Sequence, residues 1–519
     1  MHRHSSLDPA AYRPAHAWLA AVSALTLGGC ATSSERLAPT SYDRPWTPAT
    51  SASGEMVAGQ AADAPASAGS FVLPENPALA ALPAAPETDP QHLYNLAELL
   101  DLAHSANPRA RIAWYEARNA ALTTGIVRSS TGPKLSATGV GRLHTSDSTV
   151  SGLGLTGGGD SSSTGGVVAL SLEWLLFDFG ARDALVQASR QQTIVANIAF
   201  TAEHQRVTHE VALAFYDDGA ARARSRTADQ AVEIAAAVQA AAEARRERGV
   251  GTVMEVAQTR QATAQLRFAA VQAHAAAEDA RLHLLTAIGL SPLTHLQVAD
   301  SSDRALPTGL ADRAEQAVGK ALSRRPDMLA ALANRKASEA GVRAARADFL
   351  PKVFASGTAA YSGGNHDLTS LPGLGAEPTL NLSDHRTSGS LMLGVRVPLF
   401  DGGTRAARLA QARNRVEMAN ASLEATRSSA VLQIVTAENA LRSALEANAA
   451  AGEAYAAART SFDAAFAAYR SGVGAITDVN LARQQLLSAE NAVTDAKAAA
   501  LRNAATLALA TGSLDGAPE

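Results

Sequence analysis

Twice in this chain an apolar, strand-like run closes on Leu-Phe-Asp-x-Gly-x-Arg, once as WLLFDFGAR from Trp174 to Arg182 and again as VPLFDGGTR from Val397 to Arg405. The two aspartates stand 223 positions apart. Other landmarks recur with them. Pro108 and Pro326 are 218 positions apart, as are Pro133 and Pro351. Asp178 precedes Gly249 by 71 residues, and Asp401 precedes Gly472 by 71. Gly249 precedes Gly289 by 40, and Gly472 precedes Gly512 by 40. Only the interval from the second proline to the aspartate differs, 45 residues against 50. Matched intervals of this kind describe one module of roughly 200 residues written twice. Whatever the first copy builds, the second builds again.

Each copy reads as the same succession of elements. Ala110 to Ile126 and Met328 to Phe349 are helical, and a proline then ends the helix and starts an extended segment. Pro133 to His144 and Pro351 to Tyr361 alternate larger with smaller side chains. The Gly/Ser-rich stretches from Thr145 to Gly166 and from Ser362 to Ser388 read as long polar loops. A second strand follows each. Val168, Leu170, Leu172 and Trp174 share one face of Val167 to Phe177; Leu391, Leu393, Val395 and Val397 share one face of Ser390 to Phe400. About 10–11 residues is the length a tilted strand needs to cross a hydrocarbon core.

The Asp-x-Gly marks the change from sheet to helix, where both residue types serve orphan amides and the helix dipole. Neither Ala181 to Arg248 nor Thr404 to Ser471 contains a proline, and each has a single glycine, Gly219 and Gly452. An uninterrupted helix of that length reaches about 100 Å. Matched turns, ERGVGTVMEV and RSGVGAITDV, lead into return helices. In the second, Val479, Ala482, Leu486, Ala489, Val493 and Ala496 follow the 3-4 spacing of a coiled-coil seam, filled mainly with small residues.

Composition excludes several classes. Aromatics are only 4% of 519 residues, too few for a thick aromatic core. The net charge of −4 leaves no nucleic-acid footprint. A single cysteine, Cys30, excludes an intramolecular disulfide and any multi-cysteine metal cluster. The thirteen histidines lack ligand spacing, and GLGLTGGGD (Gly152 to Asp160) lacks the lysine of a phosphate loop and reads as an exposed loop. No cofactor, no metal and no catalysis are expected. No apolar run reaches 18 residues, so no helix should span a bilayer, which says nothing of β-strands. At the N-terminus, Arg3, Arg13 and the apolar Ala17 to Leu27 look like an export signal. Leu27-Gly28-Gly29-Cys30 resembles a bacterial lipoprotein box, with Cys30 the lipid attachment point. The organisation expected is a lipoprotein-type signal (1–30), an Ala/Pro/Ser-rich tether (31–90), the first module (91–292), a connector (293–320), the second module (321–512) and a short tail (513–519).

Two modules supply four strands, which cannot close a barrel, and open edges are not tolerated in lipid. Three copies would pool twelve, an even number within the known range. An extended antiparallel coiled coil without a pore accounts for the helices alone, so it stays open at this point. The ordered marks resemble those of the TolC-like outer-membrane channel family, or outer membrane factors. They are Asn107-Pro108 or Arg325-Pro326 opening each module, Pro133 and Pro351 before the strands, Leu-Phe-Asp-x-Gly, and Gly-Val-Gly followed by Glu/Asp-Val. The likeness covers about Asn95 to Gly512.

The resemblance implies a mixed α and β membrane protein, in which a long α-helical barrel of coiled-coil hairpins continues a transmembrane β-barrel shared by a homotrimer. It implies a bacterial outer-membrane location with a large periplasmic portion. Its expected partners are a periplasmic adaptor and an inner-membrane pump or ABC transporter, and its function is the exit duct of a tripartite pump for drugs, metals or other small molecules. RRPDM and the lipid anchor lean that way. The alternatives are a type I protein secretion duct and, further off, a lipid-anchored coiled-coil scaffold or adaptor. The resemblance also assigns sites. Gly249, Val250, Gly251, Gly472, Val473 and Gly474 form the adaptor-contact tips. Asp478 and its repeat partner Glu255 form an acidic ring at the entrance, or else cap their helices. A second acidic position of the family is Leu481 here. Tyr469 and Arg470 stand where gate-holding contacts form.

Overall fold

The computed structural model describes residues 88–152, 155–301, 304–306, 314–368 and 380–513, with short pieces at 37–39, 42, 46–60, 73 and 75–80. Cys30, the expected signal and most of the tether lie outside the described residues. The chain divides into two compact units between Ala85 and Pro86. The first holds an antiparallel pair, β1 (Pro48–Thr50) with β2 (Met56–Gln60), and a single helical turn, α1 (Pro77–Ala80).

The second unit begins with β3 (Leu93–Tyr94) and α2 (Leu96–Ala106). Then come α3 (Pro108–Ser129), β4 (Lys134–Gly152), β5 (Leu155–Phe177), α4 (Ala181–Glu247) and α5 (Val253–Ile288). After β6 (Gln297–Val298) and α6 (Ala314–Arg324) the same order returns as α7 (Pro326–Ala347), β7 (Lys352–Leu368), β8 (Leu380–Arg396), α8 (Thr404–Ser471) and α9 (Ile476–Ala510). Each α3-type helix opens on a proline at its first position, where the missing amide is no loss. The residue before that proline ties the helix to the end of the return helix. Asn107 Nδ2 donates to the Ala287 carbonyl at 3.0 Å, and Arg325 Nη1 to the Ala510 carbonyl at 2.8 Å.

The four strands form one antiparallel sheet in the order β4-β5-β7-β8. Its register sorts the side chains by face. Leu135, Leu172, Gly357 and Leu391 lie in one row, with Ala137, Leu170, Ala359 and Gly389 in the next row on that face. The opposite face carries Ser136, Ser171, Thr358 and Ser390. The apolar rows run from Val353 to Tyr361 along β7, about 26 Å at 3.3 Å per residue, close to the apolar band of about 25 Å on outer-membrane barrels. The strands themselves are longer than expected, at 19, 23, 17 and 17 residues. Where they are described, the stretches expected as polar loops continue the ladder, β4 pairing with β5 without a break from Lys134↔Glu173 to Gly152↔Leu155. Gly152 to Asp160 is therefore mostly strand. The reason is that the ladder is made by backbone groups, which Gly, Ser and Thr supply as well as Val, so side-chain periodicity finds only the part with an apolar face. In the other direction β8 stops at Arg396, because Pro398 has no amide to donate.

The Asp-x-Gly-x-Arg motif has one structure in both copies. Asp178 accepts from the Gly180 and Arg182 amides (3.2 and 3.0 Å) and from Arg182 Nε (2.8 Å). Asp401 accepts from Gly403 and Arg405 at the same distances, and from Arg405 Nε at 2.8 Å. Burial alone would raise the Asp401 carboxyl; the Arg405 guanidinium and the amides outweigh it and hold it below the ordinary value. Gly180 and Gly403 have φ of 86° and 85°, so the turn into each helix needs glycine there.

The helices α4 and α8 run 67 and 68 residues. In the layer, α4 lies between α3 and α7 at its sheet end and packs against α5 and α9 further down. Ala231, Ala235, Ala242, Thr259 and Thr263 are buried in these contacts. Each small side chain buries little area, and the stability comes from many rows at close approach. A second layer lies against α4 near its middle. There α2 adds Leu96, Leu99 and Leu100 to Val207, Val211 and Phe215. Arg222 donates to the Val298 and Ala299 carbonyls at 2.8 and 3.0 Å.

Candidate functional site

The two hairpin tips, where α4 turns into α5 and α8 into α9, carry the residues singled out above. Both turns close alike. Val250 N donates to the Arg245 carbonyl at 3.0 Å and Gly249 N to that of Arg246 at 2.9 Å. Val473 N donates to Ala468 and Gly472 N to Tyr469, both at 3.1 Å. These are Schellman closures, which need a left-handed residue; Gly249 (φ 77°) and Gly472 (φ 87°) supply it. Gly251 and Gly474 meet a different demand, since a Cβ on either would lie 2.8 Å from Arg246 N or 2.9 Å from Tyr469 N. Each turn thereby presents one valine at its apex, Val250 at 65% and Val473 at 85% exposure.

Past the turns the copies part. Thr252 accepts from the Glu255 amide at 3.2 Å while the Glu255 carboxylate accepts from Thr252 N at 3.1 Å, a capping box. Ala475 takes the place of Thr252 in the second copy, and no side chain caps α9. Asp478 is exposed, and among the described residues its carboxylate has no hydrogen bond or ion pair. One carboxylate is thus committed to closing its helix and the other is free. Leu481, where the family resemblance asks for a second acid, is 57% exposed. Further along, Arg260 is held by Glu243 at 2.8 Å. Their counterparts are Arg483 and Phe466, so the second copy has no carboxylate at that place, and burial lowers the Arg483 guanidinium.

Tyr469 and Arg470 are not brought together. Tyr469 is fully buried among Val238, Phe462, Ile476 and Val479. The Arg245 guanidinium from α4 lies over its ring at 4.9 Å and donates through Nη1 to the Tyr469 carbonyl at 3.2 Å. The Tyr469 hydroxyl has no hydrogen-bond partner among the described residues. Burial, then the nearby Glu255 carboxylate, push this phenol up, against the opposing charge of Arg245. Arg470 instead lies over the Phe466 ring at 5.9 Å on its own helix. Arg245 was not found from sequence. Within ARRERGVG it reads as a basic last turn complementing the dipole, and nothing local says that it reaches the other hairpin.

A sheet with one apolar face of bilayer height, continued by two hairpins of about 100 Å that end in matched tips, defines the class of outer-membrane efflux channels. The chain belongs to the outer membrane efflux protein family, whose pattern it matches over residues 99–290 and again over 317–513. It is similar to Protein CyaE of Bordetella pertussis, 29% identical over 408 residues, covering 78% of this chain and 81% of that one. It is also similar to Outer membrane protein OprJ of Pseudomonas aeruginosa, 26% identical over 351 residues, 66% of this chain and 68% of that one. Among solved structures, the outer-membrane channel OprN superposes with a TM-score of 0.65 at 23% identity, over 80% of this chain and 90% of that one. At that identity the likeness is one of fold.

Proposed function

We propose that this protein is the outer-membrane exit duct of a tripartite efflux pump, taking drugs, metals or other small molecules from a periplasmic adaptor and an inner-membrane pump to the exterior. The observation that carries the reading is the sheet. Its apolar face is of bilayer height, yet among the described residues its outer strands β4 and β8 each keep one unpaired edge. Lipid does not tolerate such edges, and three copies joined edge to edge close them in a twelve-stranded barrel. The same operation sets the hairpins into a tube beneath. The two modules, 91–292 and 321–512, contribute equally to both parts, joined by the connector at 293–320. Cys30 anchors the chain to the membrane and 31–90 is the tether.

Within this reading, the apices at Gly249, Val250, Gly251, Gly472, Val473 and Gly474 receive the adaptor, because rigid turns offer an exposed valine at no ordering cost. Asp478 and its repeat partner Glu255 make the periplasmic entrance acidic; six carboxylates in a narrow aperture favour cations. Tyr469 holds the entrance through Arg245, with Arg470 flanking it. The test compares a deletion strain with its parent for dye accumulation in cells and for proteins missing from the medium. Raised accumulation with an unchanged set of secreted proteins is expected. Loss of a secreted protein with normal accumulation would move the assignment to type I secretion. Purified trimer that gives no conductance in planar bilayers would leave only a scaffold.

A further inference from the structure

We infer that the membrane-proximal section of the duct attracts anions, through Arg408 and Arg415, and that it favours cargo bearing carboxylate or phosphate groups. The inference rests on the exit-duct reading. Between α4, α7 and α8, directly below the sheet, lies a cavity of about 710 Å³ whose lining includes Ser189, Gln192, Asp348, Arg408, Gln411 and Arg415. The two guanidiniums sit on one face of α8, about 10 Å apart along its axis. Both are exposed, and among the described residues neither has an ion pair or hydrogen bond. The carboxylate of the lining, Asp348, accepts from Lys352 Nζ at 2.8 Å. The cavity is left positive.

Its sidedness follows from α4. The second layer marks one face of that helix: His104 meets Thr208 at 3.0 Å, and Ser301 crosses so close to Gly219 that a Cβ there would stand 1.8 Å from its Oγ. Leu185 and Gln192, which line the cavity, fall roughly 140–160° around the helix from Thr208 at 3.6 residues per turn. In a tube walled by one layer of helices, the second layer is outside and this opposite face is the lumen. The repeat gives the same answer for α8. Leu185 and Gln192 have Arg408 and Arg415 as their counterparts 223 positions on, and both pairs line one cavity. The equivalent faces of α4 and α8 thus meet on the lumen, and in one copy that face is cationic.

The surroundings reinforce the sign. Whereas the chain has 45 basic and 49 acidic residues, α3 and α7 together carry seven basic side chains (Arg111, Arg118, Arg128, Arg335, Lys336, Arg343 and Arg346) against Glu116, Asp327 and Glu339, setting aside Arg109, which Glu203 and Glu210 of α4 hold. A concave wall of low dielectric focuses such a field, and guanidinium forks suit carboxylate and phosphate.

The experiment uses the full trimer in planar bilayers, with inorganic tripolyphosphate added from the barrel side, so that the probe reaches the cavity without passing the tips. Wild-type current is expected to be blocked. Arg408→Gln with Arg415→Gln should raise the half-blocking concentration at least tenfold and move the reversal potential in a salt gradient towards cations. Arg408→Lys with Arg415→Lys should keep most of the block. Asp478→Asn should shift the reversal potential the opposite way. Equal block in wild type and the glutamine variant, or no block in wild type, overturns the inference while leaving the duct intact. Folded trimer without any conductance overturns the duct itself and this inference with it.

Discussion

Replacing Arg245 with alanine tests how the two hairpins of one chain are held together at their tips. The side chain makes a charge-assisted hydrogen bond to the Tyr469 carbonyl at 3.2 Å, a weak 3.5 Å contact to that of Val250, and a ring contact at 4.9 Å. A hydrogen bond from a charged donor contributes about 1.5–3 kcal/mol, and a partly desolvated cation–π contact about 0.5–2 kcal/mol. The guanidinium is only half-buried, so the total is discounted to about 2–3 kcal/mol for separating the tips, or a roughly 30- to 150-fold shift towards the open state at tenfold per 1.4 kcal/mol. Planar-bilayer recordings of Arg245→Ala should show larger or longer openings than wild type. Arg245→Lys should fall between, because an ammonium can still serve the last carbonyls of α8 but lacks the planar fork. Global melting should stay put, since the apolar cluster around Val207, Phe215 and Leu284 is built from other residues. Hydrogen exchange over 466–474 supplies the second readout. Wild-type conductance together with wild-type exchange would refute the latch.

Three further outcomes are expected. Gly219→Ala should destabilise by about 2–3 kcal/mol through overpacking against Ser301, and Ser301→Gly should recover most of the melting temperature; no recovery would mean that the connector does not set the cost. Phe179 holds φ 52° where the second copy has Gly402, so Phe179→Gly should be neutral or gain up to about 1–2 kcal/mol; a clear loss in thermal melts would mean that its edge contact with Phe177, at 4.7 Å, matters more. Burial first, then the charge of His204, pull the His104 imidazole below 6.5, against Asp101. The unfolded chain therefore takes up a proton as pH falls past 6.5 before the folded one does, and stability drops on acidification. His104→Gln should narrow the melting-temperature difference between pH 7.5 and 5.5, and an equal difference would remove His104 from the account.

How much of this was legible in the sequence depends on whether a feature is local. Pro108, Pro326 and the long proline-free runs placed the helices within a few residues, because proline and glycine act on their own backbone. Leu172 and Trp174, or Leu391 and Leu393, gave the apolar face of the sheet, since alternation is a local pattern. Strand length failed, because Ser and Gly rows carry no alternation while their backbones pair as well as any. Glu255 showed both candidate roles, and only coordinates place its carboxylate on Thr252. The contact between Arg245 and Tyr469 joins residues 224 apart in sequence, and neither stretch announces the other.

The two copies also separate what the backbone requires from what the side chains add. Where geometry dictates, they agree: Asp178 and Asp401 cap, Gly249 and Gly472 turn, Gly251 and Gly474 clear a backbone, and the carbonyls of Ala287 and Ala510 accept from the residue before a proline. Beside the shared valines Val250 and Val473, other side chains around the tips and along the cavity differ. Thr252 is matched by Ala475, Glu243 by Phe466, Arg245 by Ala468, Leu185 by Arg408 and Gln192 by Arg415. A tube needs both modules to present the same curvature, so the shared positions are fixed by closure. In the exit-duct reading its field and its entrance have no such requirement, because one copy can carry a charge that a three-fold assembly would repeat around the axis. In the exit-duct reading, the positions at which the copies disagree on an exposed face are therefore the ones that would set the selectivity of the duct.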